Sequence, residues 1–317
     1  MTRAEEAEDL LVAAAAGDRP ALARLLSMVE RGGDDARAAA RVAAGRGADG
    51  YTVGITGAPG AGKSTLTGVL VGAMRADGEV VGVLAVDPSS PFSGGAILGD
   101  RVRMSEHALD DGVFIRSMAT RGHLGGLGVA TPGAVRVLHA AGRPWVLIET
   151  VGVGQAEVEV AGAADTTVVV VNPGWGDAVQ ANKAGLLEIA DIFVVNKADR
   201  DGADETRRDL EGMLDLTVER DWRPPVILTV ATEGRGSDAL WEAVRSHRDH
   251  VTESGELAAR RAARARDELG RVIAERLRHR AESLREAGTF HVLEDRVVAG
   301  DIDPWTAADE LLGEEGT

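Results

Sequence analysis

A chain of 317 residues, 44 % of them hydrophobic, is long enough to bury the core of one large α/β domain with extensions. Its 51 acidic against 35 basic side chains leave a net charge of −16, which argues against non-specific attachment to nucleic acid or an anionic membrane, so bound phosphates must be held by local chemistry. The absence of cysteine rules out disulfides, thiolate zinc sites and cysteine nucleophiles, and the acidic start with its short alanine-rich run at 10–16 resembles neither a secretory signal nor a membrane span; the expected compartment is the cytoplasm.

Residues 4–16 favour a helix that stops at Gly17, and Asp18 then caps a second one with Pro20 in its first turn and Leu22, Leu25, Leu26 and Val29 on one face. The Ala-, Arg- and Gly-rich stretch 31–50 predicts a further short helix ending near Gly45 and a turn into the first strand. These segments form an N-terminal helical extension over 1–50 with no evident chemistry. An apolar strand over 51–56 follows, then Gly57, Ala58, Pro59, Gly60, Ala61, Gly62, Lys63, Ser64 and Thr65, and then a stretch of helical spacing over 66–74. This is the strand, loop and helix context that the phosphate-binding pattern G-x-x-x-x-G-K-[ST] requires. The glycines let backbone N–H groups turn inward around an anion, Lys63 reaches the β- and γ-phosphates, and the Ser64 hydroxyl is placed to ligate Mg²⁺.

Apolar runs recur at 80–86, 113–115, 145–148, 166–171, 192–195 and 226–230, separated by helical stretches, and most are apolar on both faces. They predict an α/β fold of the P-loop NTPase kind, a mostly parallel central sheet flanked by helices over 51–254. After Gly255 the strand signal stops. Residues 257–287 are arginine-rich, with Leu269, Ile273 and Leu277 four apart, which predicts a long amphipathic helix; Asp303 and Pro304 then start a last short helix through Leu312. Glu268, Glu275, Glu282 and Glu286 lace the long helix with opposite charge and weaken a reading of it as a basic nucleic-acid arm.

Asn196, Lys197, Ala198 and Asp199 stand directly after the apolar run at 192–195. A carboxylate there can accept hydrogen bonds from guanine N1–H and N2, whereas adenine offers an acceptor at N1, so Asp199 points to GTP rather than ATP. Val230, Ala231 and Thr232, after the last strand, are positioned to offer backbone N–H groups to guanine O6. Glu149 ends the strand at 145–148 and Gly152 follows it, an acid-x-x-Gly arrangement in which Glu149 reaches Mg²⁺ and the Gly152 N–H approaches the γ-phosphate. Asp87 ends the second strand ahead of a long Gly-, Ser- and Pro-rich loop to Arg101; the loop reads as a switch, with Asp87 and Asp100 as metal-shell or water-orienting acids, or as a plain solvent loop with Asp100 as a helix cap. Gln155 either positions the attacking water or simply starts a helix. His247 and His250 share a helical face without a third metal ligand nearby, His123 stands alone in its glycine-rich loop, and no arginine occupies a motif that delivers it to the γ-phosphate.

The motifs GAPGAGKST at 57–65, DPSSPFSGGAILGDRVRM at 87–104, FIRSMATRGHLGGL at 114–127, ETVGVGQAEVE at 149–159 and NKAD at 196–199 resemble those of the MeaB/ArgK family of GTPases over nearly the whole chain. The resemblance implies a GTPase that assists an adenosylcobalamin-dependent acyl-CoA mutase, gating cofactor delivery and protecting or reactivating it. It also implies that Lys63, Ser64, Asp87, Asp100 and Glu149 take phosphate, metal and switch positions, that Asp199 takes the base, that 172–183 is an additional switch, and that 255–317 is a dimerisation arm and tail. Where that family commonly has an acidic residue this chain has Ala178, so contacts of that side chain do not carry over. A nickel-insertion metallochaperone ranks second and lacks the cysteine such proteins generally use; a transport-associated ATPase or kinase would need adenine selectivity, which Asp199 opposes.

Overall fold

The computed structural model describes residues 2–87, 107, 109–119, 130–150, 160, 162–174, 183–216, 221–285 and 288–313. The chain divides into two compact units, Met1–Ala262 and Ala263–Thr317.

The first unit opens with α1 (Arg3–Ala15), α2 (Arg19–Arg31) and α3 (Gly33–Ala43). Thr2 and Glu5 close a reciprocal capping box on α1, and the Asp18 carboxylate accepts the Ala21 N–H at the head of α2 with Pro20 beside it. Then follow β1 (Tyr51–Gly57), α4 (Lys63–Ala76), β2 (Val81–Asp87), β3 (Val113–Ala119), α5 (Ala130–Ala140), β4 (Trp145–Thr150), β5 (Thr166–Val171), α6 (Lys183–Ile189), β6 (Ile192–Asn196), α7 (Ala203–Asp215), β7 (Val226–Thr229), a 3₁₀ turn (Ala231–Glu233) and α8 (Ser237–Glu253). The seven strands line up as β3-β2-β4-β1-β5-β6-β7, and every pairing between them is parallel.

Strand alternation assigns side chains to opposite layers. Leu84, Val86, Val146 and Ile148 join Leu11, Leu22, Leu25, Leu26 and Leu138, so the N-terminal helices and α5 share one core with the β3-β2-β4 side. Val53, Ile55, Val83, Leu147, Val168 and Val170 meet Leu66, Leu70, Val244 and Val251 of α4 and α8 on the other face. Val169, Val171, Phe193 and Val195 pack with Leu210 and Leu214 of α7. The connection from β1 runs toward β2 while later strands build outward from β5, so β1 lies at the switch point, where open parallel sheets place ligands beyond the carboxyl ends.

At the opposite, amino-terminal edge lies a polar network. Asp165 accepts the Thr52 N–H at 3.0 Å and Asp191 the Thr167 N–H at 2.7 Å, and both carboxylates are buried. Arg261 ion-pairs with Asp165 at 2.7 Å and donates to Gly50 O at 2.6 Å, while Arg260 holds Asp191 at 3.1 Å. His247, fully buried, stands 2.8 Å from Thr166 Oγ1 and 3.2 Å from Asp191, with Trp222 edge-on to it. His247 is therefore a structural histidine.

Arg260 and Arg261 belong to the first turns of α9 (Glu256–Arg285), the long helix expected from the sequence. Beyond it, α10 (Gly288–Ala299) and α11 (Pro304–Leu312) pair through an Arg296–Glu310 bridge of 2.8 Å, and Asp303 caps α11. Sequence pattern did not point to α10: it opens on glycine without a side-chain capping residue, and its β-branched Val292, Val297 and Val298 lower helix propensity. Within the second unit Leu269, Ile273 and Leu277 are exposed, as is Trp305.

Candidate functional site

The loop after β1 is shaped by glycines that no other residue replaces. Gly57 has φ 134°, and a Cβ there would fall 2.0 Å from Val170 O; Gly62 has φ 90°, and a Cβ would fall 2.4 Å from Asn196 Nδ2. Both backbones therefore approach their neighbours more closely than a side chain permits. Gly62 is the N-cap of α4, so the orphan N–H groups and positive end of a 14-residue helix face the loop. Lys63 opens that helix, and its buried ammonium donates to Gly57 O at 2.7 Å and Ala58 O at 3.1 Å. Pro59 and Gly60 at the loop crest are exposed, and Thr65 is half-buried.

Register brings the acid to the loop. Glu149 lies opposite Ile55 and Ala85 at the carboxyl end of β4, and it is 1 % exposed. The Ser64 hydroxyl donates to its Oε1. Sequence placed both residues in a metal shell, and the structure brings them together. Their donor set, a carboxylate and a hydroxyl, is hard oxygen chemistry of the kind Mg²⁺ takes.

The 196–199 loop is fastened to the phosphate loop from below. Asn196, 2 % exposed, donates from Nδ2 to Ala61 O at 2.8 Å, and its Oδ1 accepts from Thr229 Oγ1 at 3.0 Å and from the Ala231 N–H at 3.1 Å. One amide thus staples the phosphate loop, the end of β6 and the end of β7 together. Lys197 adopts φ 59°, the left-handed region, and its ammonium crosses to Gly60 O at 2.6 Å. These two contacts leave Asp199 exposed beside the loop. Of the three residues expected to reach guanine O6, Val230 gives its N–H to Arg235 O at 3.0 Å and Ala231 gives its own to Asn196; Thr232 is exposed. A base oxygen at Ala231 would share that donor.

The backbone of Asp87 ends β2 opposite Ala119. The Asp87 side chain, together with Asp100, Gly152 and Gln155, lies outside the described residues, as does most of the 172–183 segment. What sequence reasoning missed is Thr229: a threonine at the end of a strand carries no local signal, and its partner Asn196 is 33 residues away.

A parallel sheet whose switch-point strand runs into a glycine loop, a buried lysine and serine, an acid on that serine and an Asn-Lys-x-Asp loop stapled alongside defines a P-loop GTPase. Comparison with known proteins narrows the class. The model of the family described as methylmalonyl Co-A mutase-associated GTPase MeaB matches residues 22–286, and the chain belongs to that family. A putative GTPase of Pyrococcus abyssi is 49 % identical over 302 residues, spanning 94 % of this chain and 93 % of its own. The mitochondrial methylmalonic aciduria type A homolog of Mus musculus is 38 % identical over 270 residues, spanning 83 % of this chain and 65 % of its own. A crystal structure of an LAO/AO transport system kinase superposes with a TM-score of 0.71 at 26 % identity, covering 99 % of this chain and 98 % of that one. Among the described residues no helix is long and apolar enough to cross a membrane.

Proposed function

We propose that this GTPase serves an adenosylcobalamin-dependent acyl-CoA mutase in cofactor loading, protection or reactivation, and that it does so as a cytoplasmic homodimer. The observation that carries the reading is the family match over 22–286, supported by the similarity to the type A homolog. The exposed stripe of Leu269, Ile273 and Leu277 supports the dimer, because an apolar helix face of that kind favours a partner. The arm over 255–317 is its proposed seat.

In this reading the phosphates occupy the mouth framed by Gly57, Ala58, Pro59, Gly60, Ala61 and Gly62 and by the head of α4. Phosphate oxygens take the Lys63 ammonium from the Gly57 and Ala58 carbonyls that hold it in this structure. Mg²⁺ would be held through Ser64 and Glu149, with Asp87 and Asp100 as the further acids, and would supply positive charge against the phosphates. Lys63 stabilises charge that grows on phosphate oxygens as the bond to the γ-phosphoryl group breaks. Gly152 approaches the γ-phosphate and Gln155 orients water. Asp199 reads guanine, and Asn196 and Lys197 hold the two loops in register.

Intrinsic turnover is slow in this proposal, since a missing arginine finger is worth about 10³-fold or more in rate. The mutase supplies the missing stimulus through 172–183. The test is GTP turnover with and without the cognate mutase, in the wild type and in Lys183→Ala. Stimulation of the wild type alone is expected; equal stimulation of both removes Lys183 from the relay, and stimulation of neither overturns the partner.

A further inference from the structure

A carbonyl oxygen taken out of water without a donor is a cost that folding leaves uncompensated. Asn172 carries such an oxygen. The residue is half-buried at the carboxyl end of β5, its Oδ1 is shut off from water, and among the described residues nothing donates to it. The backbone just beyond is held in place, with the Gly174 N–H donating to Thr206 Oγ1 at 3.2 Å. The fold itself strands that oxygen.

Sheet register shows what lies beside it. Val171 pairs with Val195, so the next step sets Asn172 level with Asn196, about 4.8 Å away across the strands. Alternation turns both toward α4, since Val170 and Val194 belong to the core on that face while Val171 and Val195 belong to the other. Asn196 is already committed to Ala61 O, Thr229 and Ala231. Lys197 has donors to spare. Its ammonium carries three N–H groups, and the contact with Gly60 O at 2.6 Å uses one of them. To make that contact the side chain runs from the end of β6 to the loop after β1, and β5 lies between those two strands. It therefore crosses the end of β5, where Asn172 stands.

We propose that Asn172 is a positioning residue for the nucleotide, its Oδ1 accepting a second hydrogen bond from the Lys197 ammonium when a guanine nucleotide covers the 196–199 loop. The inference rests on the reading of that loop as the one that meets the base. Lys197 is half-buried, so water can reach its spare N–H groups while the site is open. A nucleotide lying over the lysine removes that water, and the donor then needs an acceptor at the moment the stranded oxygen can use a donor. One ammonium thereby ties the end of β5 to the phosphate loop. Because Asn172 is also the first residue of the 172–183 segment, the same bond joins occupancy of the base site to the root of that segment.

The experiment measures GDP binding to the full-length protein by calorimetry, with Mg²⁺ and without any mutase, together with melting temperature in the absence of nucleotide. Asn172→Leu, close to asparagine in size, should melt above the wild type when empty, having lost the stranded oxygen, yet bind GDP about tenfold more weakly. Lys197→Met should also weaken GDP, and the double variant should bind no more weakly than Lys197→Met alone, since each change removes the same bond. Asn172→Asp keeps an acceptor of the same size and should recover most of the loss, which a merely structural defect would not allow. Unchanged GDP affinity in Asn172→Leu, or losses that add in the double variant, overturn the role of Asn172 while leaving the base loop standing. Unchanged affinity in Lys197→Met removes the base-loop reading and this proposal with it. Should Asn172→Leu fail to fold, Asn172→Ala takes its place in the same cycle and is judged by the same coupling.

Discussion

Replacing Asn196 with alanine tests whether the phosphate loop is set in advance by the 196–199 loop. Three hydrogen bonds disappear, those to Ala61 O, from Thr229 Oγ1 and from the Ala231 N–H. Each is worth about 1 kcal/mol net, and the stranded Ala61 carbonyl and Ala231 N–H, both in buried residues, add about 1 kcal/mol apiece. The expected loss is then on the order of 3 to 5 kcal/mol, or about 6 to 10 °C in melting temperature for a unit of this size. Thermal and urea unfolding should be followed with and without GDP. GDP affinity should fall as well, because nothing else described holds Ala61 from below. Asn196→Asp should behave similarly, since it keeps the acceptor but sets an oxygen against Ala61 O. A variant melting within about 2 °C of the wild type would refute the staple. One that loses stability but binds GDP as before would show that the loop does not depend on it.

Asp199→Asn should weaken GTP and favour xanthosine triphosphate, on the scale of about 10⁴-fold by which sites built on hydrogen bonds separate analogues; equal affinity of the wild type for ATP and GTP in calorimetry would defeat the assignment. Asp191 gives a pH signature. Burial alone would raise its pKa, but the hydrogen bond and charge of His247, the charge of Arg260 and the Thr167 N–H outweigh burial and hold it below the ordinary carboxylate value. A depressed folded pKa means stability that is fully present above the unfolded value, about 3.9, and lost as pH falls through the folded one. Asp191→Asn should therefore be less stable at pH 7 and show a flatter acid limb below about pH 4 in urea midpoints; parallel curves for the two proteins would remove Asp191 from acid unfolding.

The parts of this molecule that are written locally were legible from sequence. Gly57 through Ser64 announce their loop because every residue in the pattern has a task within a few ångströms, and the runs at 166–171 and 192–195 announce buried parallel strands because both faces are apolar. Asp18 and Asp303 are readable for the same reason, each capping its own helix. Contacts that cross the chain were not legible. Nothing near Arg260 or Arg261 indicates Asp191 or Asp165, which lie 69 and 96 residues away. The N-terminal helices were visible as amphipathic segments, but only the fold shows that Leu22 and Leu25 share a core with Leu84 and Ile148. Asn196 is an intermediate case: its motif pointed to the base, whereas its side chain grips the loop.

The pair of arginines at the head of α9 also sets a timetable. Asp165 and Asp191 are buried at the leading ends of β5 and β6, and their cations are residues 260 and 261. During synthesis every strand of the sheet has been made before either arginine emerges, so a nascent chain ending at Gly255 must carry two carboxylates in the places they will be buried with no guanidinium to meet them. The sheet can assemble early but closes late, when the first turns of the arm arrive. A shortened protein made to isolate the nucleotide-binding body should accordingly end after Ala262, since a cut at Gly255 would remove a piece of the fold along with the arm.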